Sequence, residues 1–499
     1  MASEVMDLYI RVRTPVHVGG AQEKHLLGGI DYVAEDGLIH VLDHKKLMQE
    51  TGQEQYINAL SQGPEGISSL IKVRRIEISS VAHTSFEISG MANDYKSMIK
   101  EGLYGRPYIP GSSIKGAIRS VIFKLLFEQS NESEQLAIGQ KSKNERRFDP
   151  DAHLIGKFEN SIMRFIHCSD AYFDSIQLYN AKIFNLHKHS STWEGGWKHQ
   201  FKNETTPYFS PTGFTTAFET VPIGTVAKFR LAFDQELFER YDRDKNKKSP
   251  YLPPMVNRVF KGGSFYDILF DALSLHAATY LKREHSFFAS YPVAETPAIV
   301  AQLKKLSQEN AKEAPLLRLA SGSGFHSITG DWQFEDHINT GNWNTGKLKY
   351  KSRRLAFETD EQGHYRFYPM GFVQLVTPGH YEQHLKPQIE AQRAEVAEQK
   401  RQAAEAERQR REEEQKKAEE ARKPKMRTLR EVKKEGVIDG EVVGQKGNQV
   451  EVKPFVEGFD KRVLLVRYAA GFPNGTIVEV KARLQGKQLT LQPPPKEKK

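Results

Sequence analysis

Residues Tyr108 to Arg119 read YIPGSSIKGAIR, a proline, a glycine and two serines set directly against the start of an apolar helical stripe. Ile114, Ile118, Val121 and Leu125 recur at helical spacing, and Ala117, Ile122 and Leu126 widen the same face. A helix therefore begins here, with Ser112 or Ser113 as its natural N-cap. Its free amides and positive dipole end favour an anion. Lys115 and Arg119 are four residues apart and share one face. The pattern fits two readings, a two-part phosphate seat made of Gly111, Ser112, Ser113, Lys115 and Arg119, or a plain capped helix. The spacing of a Walker loop is missing.

Outward from this helix, residues 1–380 mix strands and helices. DLYIRVRTPVHV reads as a strand, and IDYVAEDGLIHVLD as a hairpin turning at Asp36-Gly37. TVAKFRLAF is a later strand, and SFYDILFDALSLHAATYLKREH a second amphipathic helix. PLLRLASGSGFHS is a strand entering a glycine-rich turn, and GFVQL a closing strand. Strand-rich halves, each with one packed helix, predict an α+β body of sheets layered with helices. The polar, His-rich or charged stretches 129–160 and 186–212 read as insertions or mobile loops.

The chain has 499 residues, enough for about three domain-sized units, and only 38% of them are apolar. The shortfall is local. From Ile389 to Lys423 almost every residue is Ala, Glu, Gln, Lys or Arg, which predicts a solvated helical spacer over 381–425 with pairs such as Glu407–Arg411, Glu412–Lys416 and Glu413–Lys417. Apolar heptad positions for a coiled coil are lacking. Residues 426–499 then form five short alternating segments with Gly, Asn and Asp turns, the pattern of a small OB-like β-barrel. Phe455, Phe459, Tyr468 and Phe472 stand there among Lys453, Lys461, Arg462 and Arg467. That mixture suits stacking and charge contacts to single-stranded nucleic acid, or the aromatics simply fill the barrel core. A net charge of +9 favours an acidic partner, nucleic acid before an anionic membrane surface. No apolar run reaches the ~20 residues of a membrane span, and Met1 to Pro15 lacks a signal-peptide core, so a cytoplasmic protein is expected. Cys168 is the single cysteine, which excludes an intrachain disulfide and a cysteine zinc cage.

IPGSSIKGAIR resembles the signature loop of the RAMP superfamily, RRM-like CRISPR proteins that grip guide RNA. TPVHVGG followed by IDYVAEDGLIHVLD resembles the opening of the fifth subunit of type III-A (Csm) CRISPR effector complexes. FETVPIGTVAKFRLAF, LASGSGFHS and YPMGFVQL match that subunit's later motifs in order, so the resemblance covers residues 1 to about 380. It implies a body of RRM/ferredoxin-like units and a non-catalytic, cofactor-free subunit that caps the 3′ end of the guide RNA. It also implies a contribution to guide maturation and antiviral defence. Its partners would be guide RNA, other RAMP subunits, and target RNA or a host maturation nuclease. Carried onto this sequence, it gives Gly111, Ser112, Ser113, Lys115 and Arg119 guide phosphates, with Gly322, Ser323, Gly324 and Phe325 as a second RNA loop. His17 joins them, although GGAQEKH follows it where a Gly-Ser-Gly is common in the family. The spacer and barrel lie outside the resemblance; Arg462 and Arg467 are RNA candidates on composition alone.

An endoribonuclease on the same fold is the alternative. Asp31 stands where a related filament subunit carries its cleaving aspartate, and His17 is a conceivable general base. A strand-end Asp more often fixes a hairpin, and His187–His189 with His199 is too loosely organised to predict a metal site. No catalytic residue is therefore assigned.

Overall fold

The computed structural model describes residues 4–20, 25–35, 37–89, 94–102, 105–139, 150–189, 192–199, 205–243, 251–324, 327, 352–360, 362–422, 426–468 and 471–497. The chain separates into two units, Met1–Lys386 and Pro387–Lys499.

In the first unit, a five-stranded antiparallel sheet runs in the order Leu316–Arg318, Phe372–Val376, Glu4–Val12, Val226–Phe233, Ile166–Cys168. The Glu4–Val12 strand lies at its centre because its alternation is strict. Leu8, Ile10 and Val12 are fully buried on one face, and Asp7, Tyr9 and Arg11 point to the other. The buried face receives two helices, Gly111–Glu128 and Phe265–Ser290. Ile114, Ile118 and Ile122 of the first are fully buried, each stabilising the body by roughly 1.5–3 kcal/mol relative to exposure. Phe265, Leu269 and Leu273 of the second pack into the same core, while its later residues Tyr280, Leu281 and Phe288 enter a second core with Phe184 and Trp197. One helix of 26 residues thus spans two cores.

The second core lies under an eleven-stranded sheet built around Gln177–His189. Here the structure corrects the sequence reading: 186–212 is not simply loop. His187 lies in that central strand, which pairs with Thr192–Lys198 from His189↔Thr192 to Phe184↔Trp197. The Tyr32–Glu35 and Leu38–Leu42 hairpin turns through Gly37 at φ 76°, as the Asp36-Gly37 dipeptide predicts; Asp36 itself lies outside the described residues.

The body extends past residue 380. Tyr381 stacks on Tyr9 at 3.7 Å between centroids, so Tyr381–Leu385 belongs with the first sheet rather than with the spacer. The helix Lys386–Arg422, in the second unit from Pro387 onward, is 37 residues long, about 55 Å at helical rise. Arg408–Glu412 is an i,i+4 pair along it, at 3.3 Å. The five strands that follow are ordered Leu464–Arg467, Gln449–Pro454, Val437–Lys446, Ile477–Gln485, Gln488–Glu497, and form a nearly closed barrel. Val442, Val450, Val452 and Val478 fill its interior. Phe459 is in that core, with Tyr468 and Phe472 half-buried against it and stacked on each other at 5.1 Å. These three aromatics are therefore packing residues first.

Candidate nucleic-acid interface

The Gly111–Glu128 helix does not begin as its serines suggest. Pro110 is the N-cap, and neither serine side chain caps the helix. Instead the Gly111 amide donates to the Asp170 carboxylate at 2.7 Å, and the amides of Ser113 and Ile114 donate to the Pro110 carbonyl. A carboxylate from the chain itself thus already sits at the positive end of the dipole. Gly111 is glycine for packing. A Cβ there would lie 2.1 Å from the Cys168 carbonyl oxygen and 2.8 Å from its carbon. The helix start is pressed onto the Ile166–Cys168 strand, and the same burial raises the Cys168 thiol pKa to about 12, with Lys115 opposing it.

Of the two predicted phosphate cations, Arg119 is half-buried and ion-paired with Asp151, so a phosphate would compete with that carboxylate. Lys115, at the start of the second turn of the helix, has no ion-pair partner among the described residues. Ser112 is exposed beside it, and Ser113 is partly so. The accessible part of the seat is Lys115 with these two serines.

The second predicted loop is held from beneath. Gly322 and Gly324 take φ values of 81° and 77°, which glycine adopts without strain. A Cβ on Gly322 would also meet the Met370 Cβ at 3.0 Å, whereas Gly324 faces open space. Ser323 is buried and its hydroxyl donates to the Ala320 carbonyl at 2.7 Å, so it braces the turn. Phe325 lies outside the described residues. Beneath the turn, Arg318 donates to the Gly322 carbonyl at 3.0 Å and the Met370 carbonyl at 2.9 Å. It lies near the rings of Tyr280 and Phe372 and hydrogen-bonds the Tyr280 hydroxyl. Glu284, buried, accepts from Arg353 Nε at 2.8 and 2.9 Å and stands 3.9 Å from Arg318. Burial pulls the Arg353 pKa down, and the Glu284 carboxylate reverses that to a net rise.

His17 is placed for structure rather than for ligand contact. Its ring is 1% exposed, its Nδ1 stands 2.7 Å from the Glu219 carbonyl, and it meets Phe218 edge-on at 4.9 Å. Its own carbonyl accepts from the Ser321 amide at 3.0 Å, tying the loop after the first strand to the glycine-rich turn. This burial removes His17 from the predicted surface contacts. Asp31 likewise fixes local backbone, accepting from the Leu27 amide at 2.9 Å, with His44 at 3.6 Å. Among the described residues, no group of three or more His, Cys, Asp or Glu side chains is placed to hold a metal ion. No described helix is long and apolar enough to cross a membrane. In the barrel, Arg462 and Arg467 are both exposed, the former with its guanidinium 5.0 Å from the Phe459 ring centre.

Sequence reasoning missed Asp170, Glu219 and Glu284. Glu219 is fully buried and accepts from the Met98 amide at 2.8 Å and from Lys100 at 2.9–3.0 Å. Glu219 and Glu284 carried a signal, being carboxylates at the buried beat of an apolar pattern: Ala217, Glu219, Val221 in a strand and Ala277, Tyr280, Glu284, Phe288 in a helix. Asp170 carried none, because its partner is 59 residues away.

An antiparallel sheet backed by two helices, with a glycine-serine turn entering the first helix, is the frame that carries the candidate phosphate seat. The RAMP superfamily model matches residues 9–252, and that stretch of the chain is a RAMP-superfamily region. Within it, the chain is similar to the CRISPR system Cms protein Csm5 of Streptococcus thermophilus, 32% identical over 83 residues. That match covers 17% of this chain and 23% of the relative. In fold it resembles a chain of the cryo-EM Csm-crRNA-target RNA ternary complex of a type III-A CRISPR-Cas system, with TM-score 0.54 and 18% identity over 75% of this chain and 100% of the other. The crystal structure of T. onnurineus Csm5 gives TM-score 0.51 and 18% identity over 73% and 99%.

Proposed function

We propose that this chain is a Csm5-like subunit of a type III-A CRISPR effector complex, binding the guide RNA at its 3′ end and acting without catalytic chemistry of its own. Lys115 carries the reading: a cation without an ion-pair partner among the described residues, at the start of the second turn of the RAMP signature helix. The likeness to Csm5 over 83 residues supports the particular subunit, and the fold shared with a chain of the Csm-crRNA-target RNA complex supports a place beside guide RNA, target RNA and other Csm subunits. Such a subunit works in the cytoplasm and contributes to guide maturation and antiviral defence. The two candidates for an endoribonuclease, His17 and Asp31, are engaged in holding backbone, which weighs against that alternative.

Lys115→Glu is expected to weaken binding of fluorescent single-stranded RNA to the full chain. It should also lower the slope of log K against log salt by ~0.7, the share of one neutralised phosphate on a single strand. Its thermal unfolding should match the parent, because no described ion pair is broken. An unchanged affinity and slope would defeat the assignment. Arg119→Ala should weaken binding less, since Arg119 is shared with Asp151.

We propose further that the barrel contacts single-stranded RNA through Arg462 and Arg467, with low sequence preference and strong salt sensitivity. In a Lys115→Glu background, adding Arg462→Ala and Arg467→Ala should reduce the remaining RNA affinity several-fold at low salt. If those two changes leave it untouched, the barrel is better read as a docking module for a protein such as a maturation nuclease.

A further inference from the structure

A cavity of about 720 Å³ in the body opens between the strand Ala82–Ser89, which pairs with Leu38–Leu42, and the segments 105–107 and 174–177. Cavities that enclose small organic groups fall in this size range. Its walls divide by chemistry. Phe86, Ile176 and Pro222 supply apolar surface, and Thr84, Ser85 and Gln177 supply polar groups. Its two cations are already matched. Lys100 is paired with the buried Glu219 at 2.9 Å, and Arg106 with the exposed Asp174 at 2.8 Å. An interior with balanced charge disfavours a phosphate and suits a neutral planar heterocycle with hydrogen-bonding edges. The mouth suits the charge such a group trails behind it. Arg106 is more than half exposed, lies 5.7 Å from the Tyr172 ring centre, and can exchange Asp174 for a phosphate.

Position supplies the second argument. Pro107 lines the cavity and leads straight into Tyr108–Ile109 and the Gly111–Glu128 helix. At most about 14 Å of extended backbone separate Pro107 from Gly111. The opposite wall is joined to the same place: the Phe173 amide donates to the Pro107 carbonyl at 2.8 Å, and Asp170, three residues earlier, accepts from Gly111. A strand of RNA gripped by phosphate at the start of this helix would have the cavity mouth within reach.

We propose that this cavity takes one unstacked nucleobase of the bound single-stranded RNA, with Phe86, Ile176 and Pro222 against its faces, Thr84, Ser85 and Gln177 at its edge, and Arg106 on the adjoining phosphate. The proposal rests on the RNA-binding reading above and adds a base site to its phosphate seat.

The test uses the full chain and single-stranded RNA carrying 4-thiouridine at successive positions. Near-ultraviolet irradiation should crosslink one position to the peptides containing residues 84–86 or 174–177. Ser175→Trp, at an exposed residue of the cavity lining, should abolish that crosslink and weaken binding about tenfold, in the range that one stacked base contributes. Because the Lys115 contact is kept, its salt slope should fall by no more than the ~0.7 of the one phosphate at Arg106. Lys115→Glu should do the reverse, lowering the slope while the crosslink persists at saturating RNA. If the parent binds RNA but these peptides are never labelled, or Ser175→Trp leaves crosslink and affinity unchanged, the base site is wrong and the phosphate seat stands. If the parent chain binds no RNA, both fall together.

Discussion

Glu284→Ala is expected to destabilise the body by about 3–5 kcal/mol, the usual cost of removing one partner from a buried ion pair. The size follows from what is left behind. Glu284 is 2% exposed and faces two guanidiniums, Arg353 by two hydrogen bonds and Arg318 at 3.9 Å. Removing it takes away the carboxylate that Arg353 bonds twice; the guanidinium carbon also stands 3.9 Å from the Phe287 ring centre, and Nη1 donates to the Ser352 carbonyl at 3.2 Å. The chain holds four tryptophans, Trp193, Trp197, Trp332 and Trp343, all in the first unit, so tryptophan fluorescence during urea unfolding reports the body alone. The midpoint should fall sharply. Hydrogen exchange should also rise first across 318–324, because Arg318 holds the Gly322 carbonyl. Replacing Glu284 and Arg353 together by Met should recover much of the loss, since a buried pair exchanged for apolar volume is often neutral. A midpoint within experimental error of the parent for Glu284→Ala would mean that water reaches this cluster.

The contrast between what the sequence discloses and what it hides has a physical source. Periodicity reports which face of an element is buried, so Leu8, Ile10 and Val12, the Ile114 stripe and the barrel valines were all legible as core. Turn chemistry is equally local, which is why Gly37, Gly322 and Gly324 could be placed in turns and are found there with positive φ. Contacts across the fold leave no such local trace. Nothing near Gly111 announces that Asp170 will occupy the helix start, or that Asp151 will hold Arg119. The IPGSSIKGAIR motif was thus recognisable as a motif, but the division of labour among its residues was not. Gly111 packs, Arg119 is shared with a carboxylate, and Lys115, partly buried, has no ion-pair partner among the described residues. His17 shows the same limit. The resemblance makes it an RNA contact, and its sequence neighbours do not announce the Phe218 ring and Glu219 carbonyl that pack against it.

Gly111→Ala separates the packing role of that glycine from the ligand role its motif suggests. Helix propensity alone favours alanine over glycine by about 1 kcal/mol in a helix interior, and less at a first position. The overlap acts in the opposite direction and is larger. The new Cβ would stand 2.1 Å from the Cys168 carbonyl oxygen and 2.8–2.9 Å from two further backbone carbons, at Cys168 and Ser169. Backbone cannot swing aside as a side chain can, so either the helix or the Ile166–Cys168 strand must shift. A helix shift also stretches the 2.7 Å bond from Gly111 to Asp170. A net loss of about 2–3 kcal/mol is expected, in the upper range for overpacking. Ser112→Ala and Ser113→Ala should each stay within about 0.5 kcal/mol of the parent, because neither side chain caps the helix. A serine that did cap it would cost about 1 kcal/mol on removal. The decisive comparison is between stability and binding. Gly111→Ala should lower the unfolding midpoint yet keep the parent's salt slope for RNA at temperatures where it is folded, while Lys115→Glu should change the slope and leave the midpoint alone. A Gly111→Ala chain as stable as the parent but with weakened RNA binding would reverse the assignment, making the glycine a point of close approach for the RNA backbone.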